Sequence, residues 1–188
     1  MSGTALDSTP ERWRQFAGAL EQFEVESDRD DSEGCTNALV QLVIDTDHEA
    51  LLRSALANAQ ERLIVVSHRL GQAAQPRLIA ATHNTRGAGF RFLVIYGQKD
   101  ITDEPALELE QVVEDAGGIM LQCPGMHAKI IVSDSTVCIG SYNFLSTDVY
   151  DTSSRTKELS IIIDGDAPRG WVEQRLGKVT GRDVAGKP

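Results

Sequence analysis

Three apolar runs, Leu63 to Ser67 (LIVVS), Phe90 to Tyr96 (FRFLVIY) and Leu159 to Ile163 (LSIII), constrain the fold more than any other feature. Each is rich in β-branched or aromatic residues and lacks the polar alternation of a strand with one wet face, so each reads as a strand covered on both sides. Around them lie segments with helical spacing and helix punctuation: Asp45 or Asp47 to about Glu61, Pro76 to near Gly87, and Thr102 or Pro105 to the Gly117-Gly118 stop. A strand at Ala38 to Ile44, a short strand at Ile119 to Gln122 and a terminal helix at Trp171 to Leu176 are also expected. His127 to Ser133 and Val137 to Ile139 read as a hairpin. The expected class is α/β, with a mixed central sheet flanked by helices on both faces, because the hairpin adds antiparallel pairing to strands otherwise joined by helical crossovers. There is no internal repeat.

The 188 residues leave room for one catalytic domain and not two, since domains cluster at roughly 100 to 150 residues. The expected partition is an amphipathic helix and acidic linker at 1–34, a body at 35–177 and a tail at 178–188. Trp13, Phe16, Leu20 and Phe23 give the first segment its helical stripe. That segment also carries nine carboxylates against Arg12, Arg14 and Arg29, so it holds -6 of the net charge of -10. The body is only mildly acidic. A polyanion could be held there by a local basic site but not by bulk charge. Residues 1–34 read as a solvated arm or, alternatively, as a docking segment for a protein partner. Cys35, Cys123 and Cys138 form no C-x-x-C pair, which suits free thiols in a reducing compartment. No apolar stretch approaches the roughly 18 residues of a membrane span, and the N-terminus lacks a secretory pattern, so a cytoplasmic protein with no membrane partner is expected.

The segment that carries chemistry is His127-Ala-Lys129-Ile-Ile-Val-Ser-Asp134, followed five residues later by Gly140-Ser141-Tyr142-Asn143. Side chains at i and i+2 of a strand share a face, so His127 and Lys129 project together, as do Ser141 and Asn143. Gly140 allows a close backbone approach. Such a cluster suits a phosphodiester: Lys, Ser and Asn donors offset the charge that spreads over the oxygens of a transferring phosphoryl group. The imidazole is then available as a nucleophile, with a second imidazole as the natural acid.

H-x-K-x4-D followed by G-S-x-N resembles the HKD signature of the phospholipase D superfamily. The six fixed positions would coincide by chance on the order of once in 10^5 chains of this length. The order of strands and helices from about Asp45 to Asp164 also resembles one superfamily repeat. The resemblance implies His127 as the nucleophile that becomes phosphohistidine, Lys129 and Asn143 as phosphate ligands, Ser141 as their support and Asp134 as a structural residue. It also implies that Glu158, in Lys157-Glu158-Leu159, orients the His127 ring. The family usually has six residues between Asp and Gly, whereas this chain has five.

The family builds each active site from two such motifs, and this chain has one. His48, His68 and His83 are followed two residues later by Ala50, Leu70 and Thr85. The resemblance therefore implies a homodimer with both His127 side chains at the twofold axis. It further implies a small nuclease-like enzyme that needs no metal or cofactor, cleaves DNA or RNA, and can serve as the nuclease part of a bacterial defence or restriction system. The competing readings are a phospholipid or small phosphodiester hydrolase, and a non-catalytic nucleic-acid-binding module.

Outside the motif, His68 and Arg69 at the end of a buried strand are candidate substrate contacts, although a satisfied loop histidine competes as a reading for His68. Tyr150 and Arg155, in the polar loop from Leu145 to Thr156, are candidates for base stacking and phosphate contact. Arg77 is a further candidate for steering phosphate. Cys138 reads as core.

Overall fold

The computed structural model describes residues 40–44, 47–82, 89–146 and 157–181, all within the unit Ala38–Pro188. The strands are β1 (Val40–Ile44), β2 (Arg62–Leu70), β3 (Arg91–Lys99), β4 (Gly118–Gln122), β5 (Ile130–Ser133), β6 (Thr136–Gly140) and β7 (Leu159–Asp164). They form one sheet in the order β1-β7-β6-β5-β2-β3-β4. The helices are α1 (Asp47–Asn58), α2 (Ala74–Thr82), α3 (Asp103–Asp115) and α4 (Asp166–Thr180). β2, β3 and β4 are parallel, because α2 and α3 cross over between them. From β2 outward through β5, β6, β7 and β1 every pair is antiparallel. The mixed sheet expected from the sequence is therefore present.

The apolar runs are explained by two layers. Leu63 and Val65 of β2, Phe92 and Val94 of β3 and Ile131 of β5 pack under Leu52 and Leu56 of α1, Leu78 of α2 and Leu109 and Val113 of α3. Ile64, Val66, Ile95, Ile130, Val132 and Val137 pack on the other face under Val172 and Leu176 of α4. Successive residues of β2 thus serve opposite cores, and Leu63 to Ser67 are all buried. Each such aliphatic side chain contributes roughly 1.5–3 kcal/mol, which makes β2 the strand least free to shift. Arg62 ties α4 to it through a 2.7 Å ion pair with the buried Glu173.

Several boundaries differ from the sequence reading. β2 continues past Ser67 to Leu70, so His68 and Arg69 lie on the strand and not beyond it; Arg69 pairs with Gln98. β5 starts at Ile130, which leaves His127 and Lys129 in the segment leading into the strand. α2 begins at Ala74, two residues before Pro76, as a proline in the first helical turn allows. Its expected end near Gly87 lies outside the described residues. α1 stops at Asn58, because Gln60 and Glu61 turn to donate their N–H groups to Asp134. α4 spans 15 residues where six were expected, and residues 178–180, read as tail, form its last turn ahead of a left-handed Gly181 (φ 66°). Only Val172, Glu173 and Leu176 of α4 are buried, a stripe too sparse to mark its ends in sequence.

Candidate active site

Alternating strand direction gathers the motif at one end of the sheet. Val66 in the middle of β2 pairs with Ile130 at the start of β5, Ile130 pairs with Ile139 near the end of β6, and Gly140 pairs with Ser160 near the start of β7. The segments just beyond those pairs carry His68, His127, Lys129, Ser141, Asn143 and Glu158. Residues separated by as many as 90 positions therefore share one sheet end.

His127 is exposed and Lys129 is buried at 8 % exposure. The Lys129 Nζ lies 3.2 Å from His127 Nδ1 and 3.4 Å from Nε2, and donates to the His127 carbonyl at 2.9 Å. The side-by-side presentation expected from strand geometry is achieved, although this segment is not yet ladder-paired. Lys129, then His68, then partial desolvation lower the His127 pKa below its ordinary value. Burial lowers the Lys129 pKa, and the Glu158 carboxylate opposes that shift. The shift favours the neutral imidazole, the form whose lone pair can attack. Lys129→Met removes the first of those causes while keeping the stem, so the His127 pKa measured by NMR titration of the free protein is expected to rise toward 6.5; an unchanged value would contradict this electrostatic account.

Ser141 is exposed, donates to Glu158 and accepts from the Leu159 N–H at 3.1 Å. Glu158, expected to orient the His127 ring, accepts from Ser141 and acts on Lys129 through its charge. Asn143 is half-buried, and among the described residues its enclosed Oδ1 has no hydrogen-bond partner. A half-turn of the amide would put its NH2 there instead, so this end of Asn143 is suited to a polar ligand. The loop that carries it is fastened to β2: Leu145 N–H donates to Ser67 Oγ at 3.4 Å, and Gly71 N–H donates to the Leu145 carbonyl at 2.9 Å.

Gly140 has a role that differs from ligand approach. Its missing side chain leaves room for Ser160, whose Oγ and Cβ, with the Leu159 carbonyl, occupy the space that a Cβ at 140 would fill. Ser160 Oγ is bonded at 2.7 Å to Nε2 of the fully buried His48, which stacks on Tyr142 with ring centroids 4.6 Å apart. The residue between Ser141 and Asn143 is thus anchored from beneath. No local pattern links His48 to Ser160, 112 positions away, and sequence reasoning missed this support. Arg77, read as a phosphate-steering candidate, is buried in a 2.5 Å ion pair with Glu49 and donates to the Phe144 carbonyl. It braces the same loop.

Asp134 sits at the opposite end of the hairpin, in a two-residue turn with φ 52°. Its carboxylate accepts N–H bonds from Gln60, Glu61 and Arg62 at 2.8 to 3.2 Å. Burial alone would push its pKa up, but those donors and the Arg62 charge hold it below the usual carboxylate value. Arg69 is paired with Asp100 at 2.5 Å, which leaves its charge partly offset. His68 bonds the Met126 carbonyl through Nδ1 at 2.9 Å, and its ring lies 4.4 Å from that of His127. His68 is therefore satisfied by a hydrogen bond, and its ring borders that of His127. Burial raises the Cys138 thiol to about 11, consistent with a core role. Tyr150 and Arg155 lie outside the described residues, as does the segment 1–34. Among the described residues no group of three or more His, Cys, Asp or Glu side chains is placed to hold a metal ion.

No family model and no curated protein sequence matches the chain. Solved structures do. Nuc, a phospholipase D family member from Salmonella typhimurium, is 18 % identical with a TM-score of 0.56, over 77 % of this chain and 94 % of that one. NucT from Helicobacter pylori is 13 % identical with a TM-score of 0.57, over 76 % and 96 %. A phosphatidylserine synthase from Haemophilus influenzae is 11 % identical with a TM-score of 0.51, over 92 % of this chain but only 47 % of the synthase.

Proposed function

We propose, from the phospholipase D-like fold that this chain has, that it is a phosphodiesterase, specifically a metal-independent endonuclease that cleaves DNA or RNA as a homodimer. The observation that carries this reading is the buried Lys129 ammonium set against the exposed His127 ring, at the sheet end that also carries Ser141 and Asn143. In the first step a neutral ring nitrogen of His127 attacks phosphorus. An N–P bond forms, the bond to the leaving oxygen breaks, and that oxygen takes a proton from the imidazolium of the partner subunit's His127. In the second step that imidazole takes a proton from water. The water oxygen bonds to phosphorus, the N–P bond breaks, and His127 returns to its neutral form. Lys129 and Asn143 hold the phosphoryl oxygens throughout, with Ser141 and Glu158 keeping that edge in place.

Support for a second copy comes from an apolar edge that begins at the site. Val40, Leu42 and Ile44 of β1 are 54 to 69 % exposed and pair with Ile163, Ile161 and Leu159 on the same face. That face continues from Leu159, bonded to Ser141, and is one that a partner subunit would cover while bringing its His127 to the same sheet end. The nucleic-acid reading rests on size and charge. The chain spans nearly all of Nuc and NucT but under half of the synthase, and -6 of its net charge of -10 lies in 1–34. That acidic arm would dock a protein that chooses the target, as expected of the nuclease part of a bacterial defence or restriction system.

The test is cleavage in EDTA. A dimeric wild-type protein is expected to nick plasmid DNA or degrade single-stranded DNA or RNA without added metal. A well-folded dimer that leaves all three intact would contradict the nuclease reading, and turnover of phosphatidylcholine vesicles by that same protein would favour the lipid chemistry for which the fold of the synthase is a precedent.

A further inference from the structure

The four residues from Met126 to Lys129 have no strand ladder to set their direction, yet His127 must be aimed within a fraction of an ångström to attack in line. Two side chains supply what the ladder does not. The backbone orientation of His127 is set by the peptide planes on either side of its Cα, which carry the Met126 and His127 carbonyls. The first accepts from His68 Nδ1 at 2.9 Å and the second from Lys129 Nζ at 2.9 Å. A carbonyl can only accept, so the bond to Met126 fixes His68 with its proton on Nδ1. Gly97 on β3 makes this approach possible, because a Cβ there would overlap the Met126 carbonyl oxygen and crowd that of His68.

We propose that His68 is a positioning residue for the attacking imidazole: by donating Nδ1–H to the Met126 carbonyl it fixes the peptide that leads into His127. This rests on the phosphodiesterase reading. His68 acts through the backbone and through ring contact at 4.4 Å, not on the phosphate. The charged and titratable groups that face the pair are Lys129, beside the ring of His127, and Glu158, through Lys129.

Two substitutions separate donor from ring. His68→Asn places an amide N–H the same number of bonds from the backbone as Nδ1, whereas His68→Phe keeps a ring with no donor. His68→Phe is expected to lower kcat at least 30-fold with KM changed less than 3-fold, and to slow phosphorylation of His127 in a single turnover by a similar factor. His68→Asn is expected to keep at least a third of the wild-type kcat. A His68→Phe protein as active as wild type, or a His68→Asn protein as impaired as His68→Phe, would overturn the proposal while leaving the phosphodiesterase reading intact, because wild-type cleavage in the same assay tests that separately. If His68→Phe does not fold, the 15N spectrum of the wild-type protein decides: His68 as the Nδ1–H tautomer is expected, and the Nε2–H tautomer overturns the proposal.

Discussion

His127→Asn is expected to lower phosphodiester turnover by at least ~10^3-fold, because the step it removes is formation of the covalent intermediate and not substrate binding. KM should change little, since Lys129, Ser141 and Asn143 remain. Thermal stability should also be close to wild type: the ring is exposed, and among the described residues it contacts Lys129 and the ring of His68. Single-turnover rates at saturating substrate, with melting curves of the same preparations, check both halves. A variant that retains more than a tenth of wild-type turnover would show that some other group attacks phosphorus.

Asp134→Asn is expected to do the opposite, costing stability and sparing chemistry. The carboxylate caps three N–H groups where α1 turns into β2 and lies at the far end of the hairpin from His127. Asn tolerates the positive φ at this position about as well as Asp, so the substitution isolates the loss of charge. Weakening these charge-assisted bonds should cost about 2 kcal/mol, or roughly 6 °C in Tm for a domain of this size. The pH dependence follows from the direction of the shift. A carboxyl whose pKa is lowered by folding stabilises the native state above its ordinary value near 3.8, and that contribution is lost as pH falls through the folded value. The gap between wild type and Asp134→Asn should therefore be full at pH 7 and narrow steadily below about pH 4. Denaturant unfolding at pH 7 and pH 3 measures it; an equal gap at both would contradict the assignment, as would a kcat altered more than about 2-fold.

These two residues show what the sequence could and could not reveal. The apolar runs of β2 and β3 announced buried strands because both faces of the sheet are covered there, and the helical crossovers of β2, β3 and β4 announced the parallel half; the run in β7, read as equally buried, instead leaves Leu159 and Ile161 exposed at 50 and 37 % near the sheet edge. The H-x-K and G-S-x-N spacings announced a shared site because each spacing is a local property, although both pairs lie just outside the ends of β5 and β6 and not on the strands themselves. Contacts made through the fold were not legible. Glu158 was singled out by the family resemblance, but its bond to Ser141 depends on how β6 and β7 pair. The His48 to Ser160 bond and the Arg77 to Glu49 pair join distant segments without any spacing rule. Gly97 lies just past the expected end of its strand at Tyr96 and was not singled out; β3 runs on to Lys99, and the missing side chain admits the Met126 carbonyl beside the nucleophile. The length of α4 was hidden because few of its residues face the core.

The measurement that bears most directly on the central claim is acid-free rapid quench of the wild-type protein with a phosphodiester substrate in EDTA, followed by mass spectrometry of the peptide containing His127. A phosphoryl adduct on His127 that forms and decays at the rate of turnover is the expected result. Steady turnover with no adduct on that residue, or with one formed elsewhere, would contradict covalent catalysis by His127.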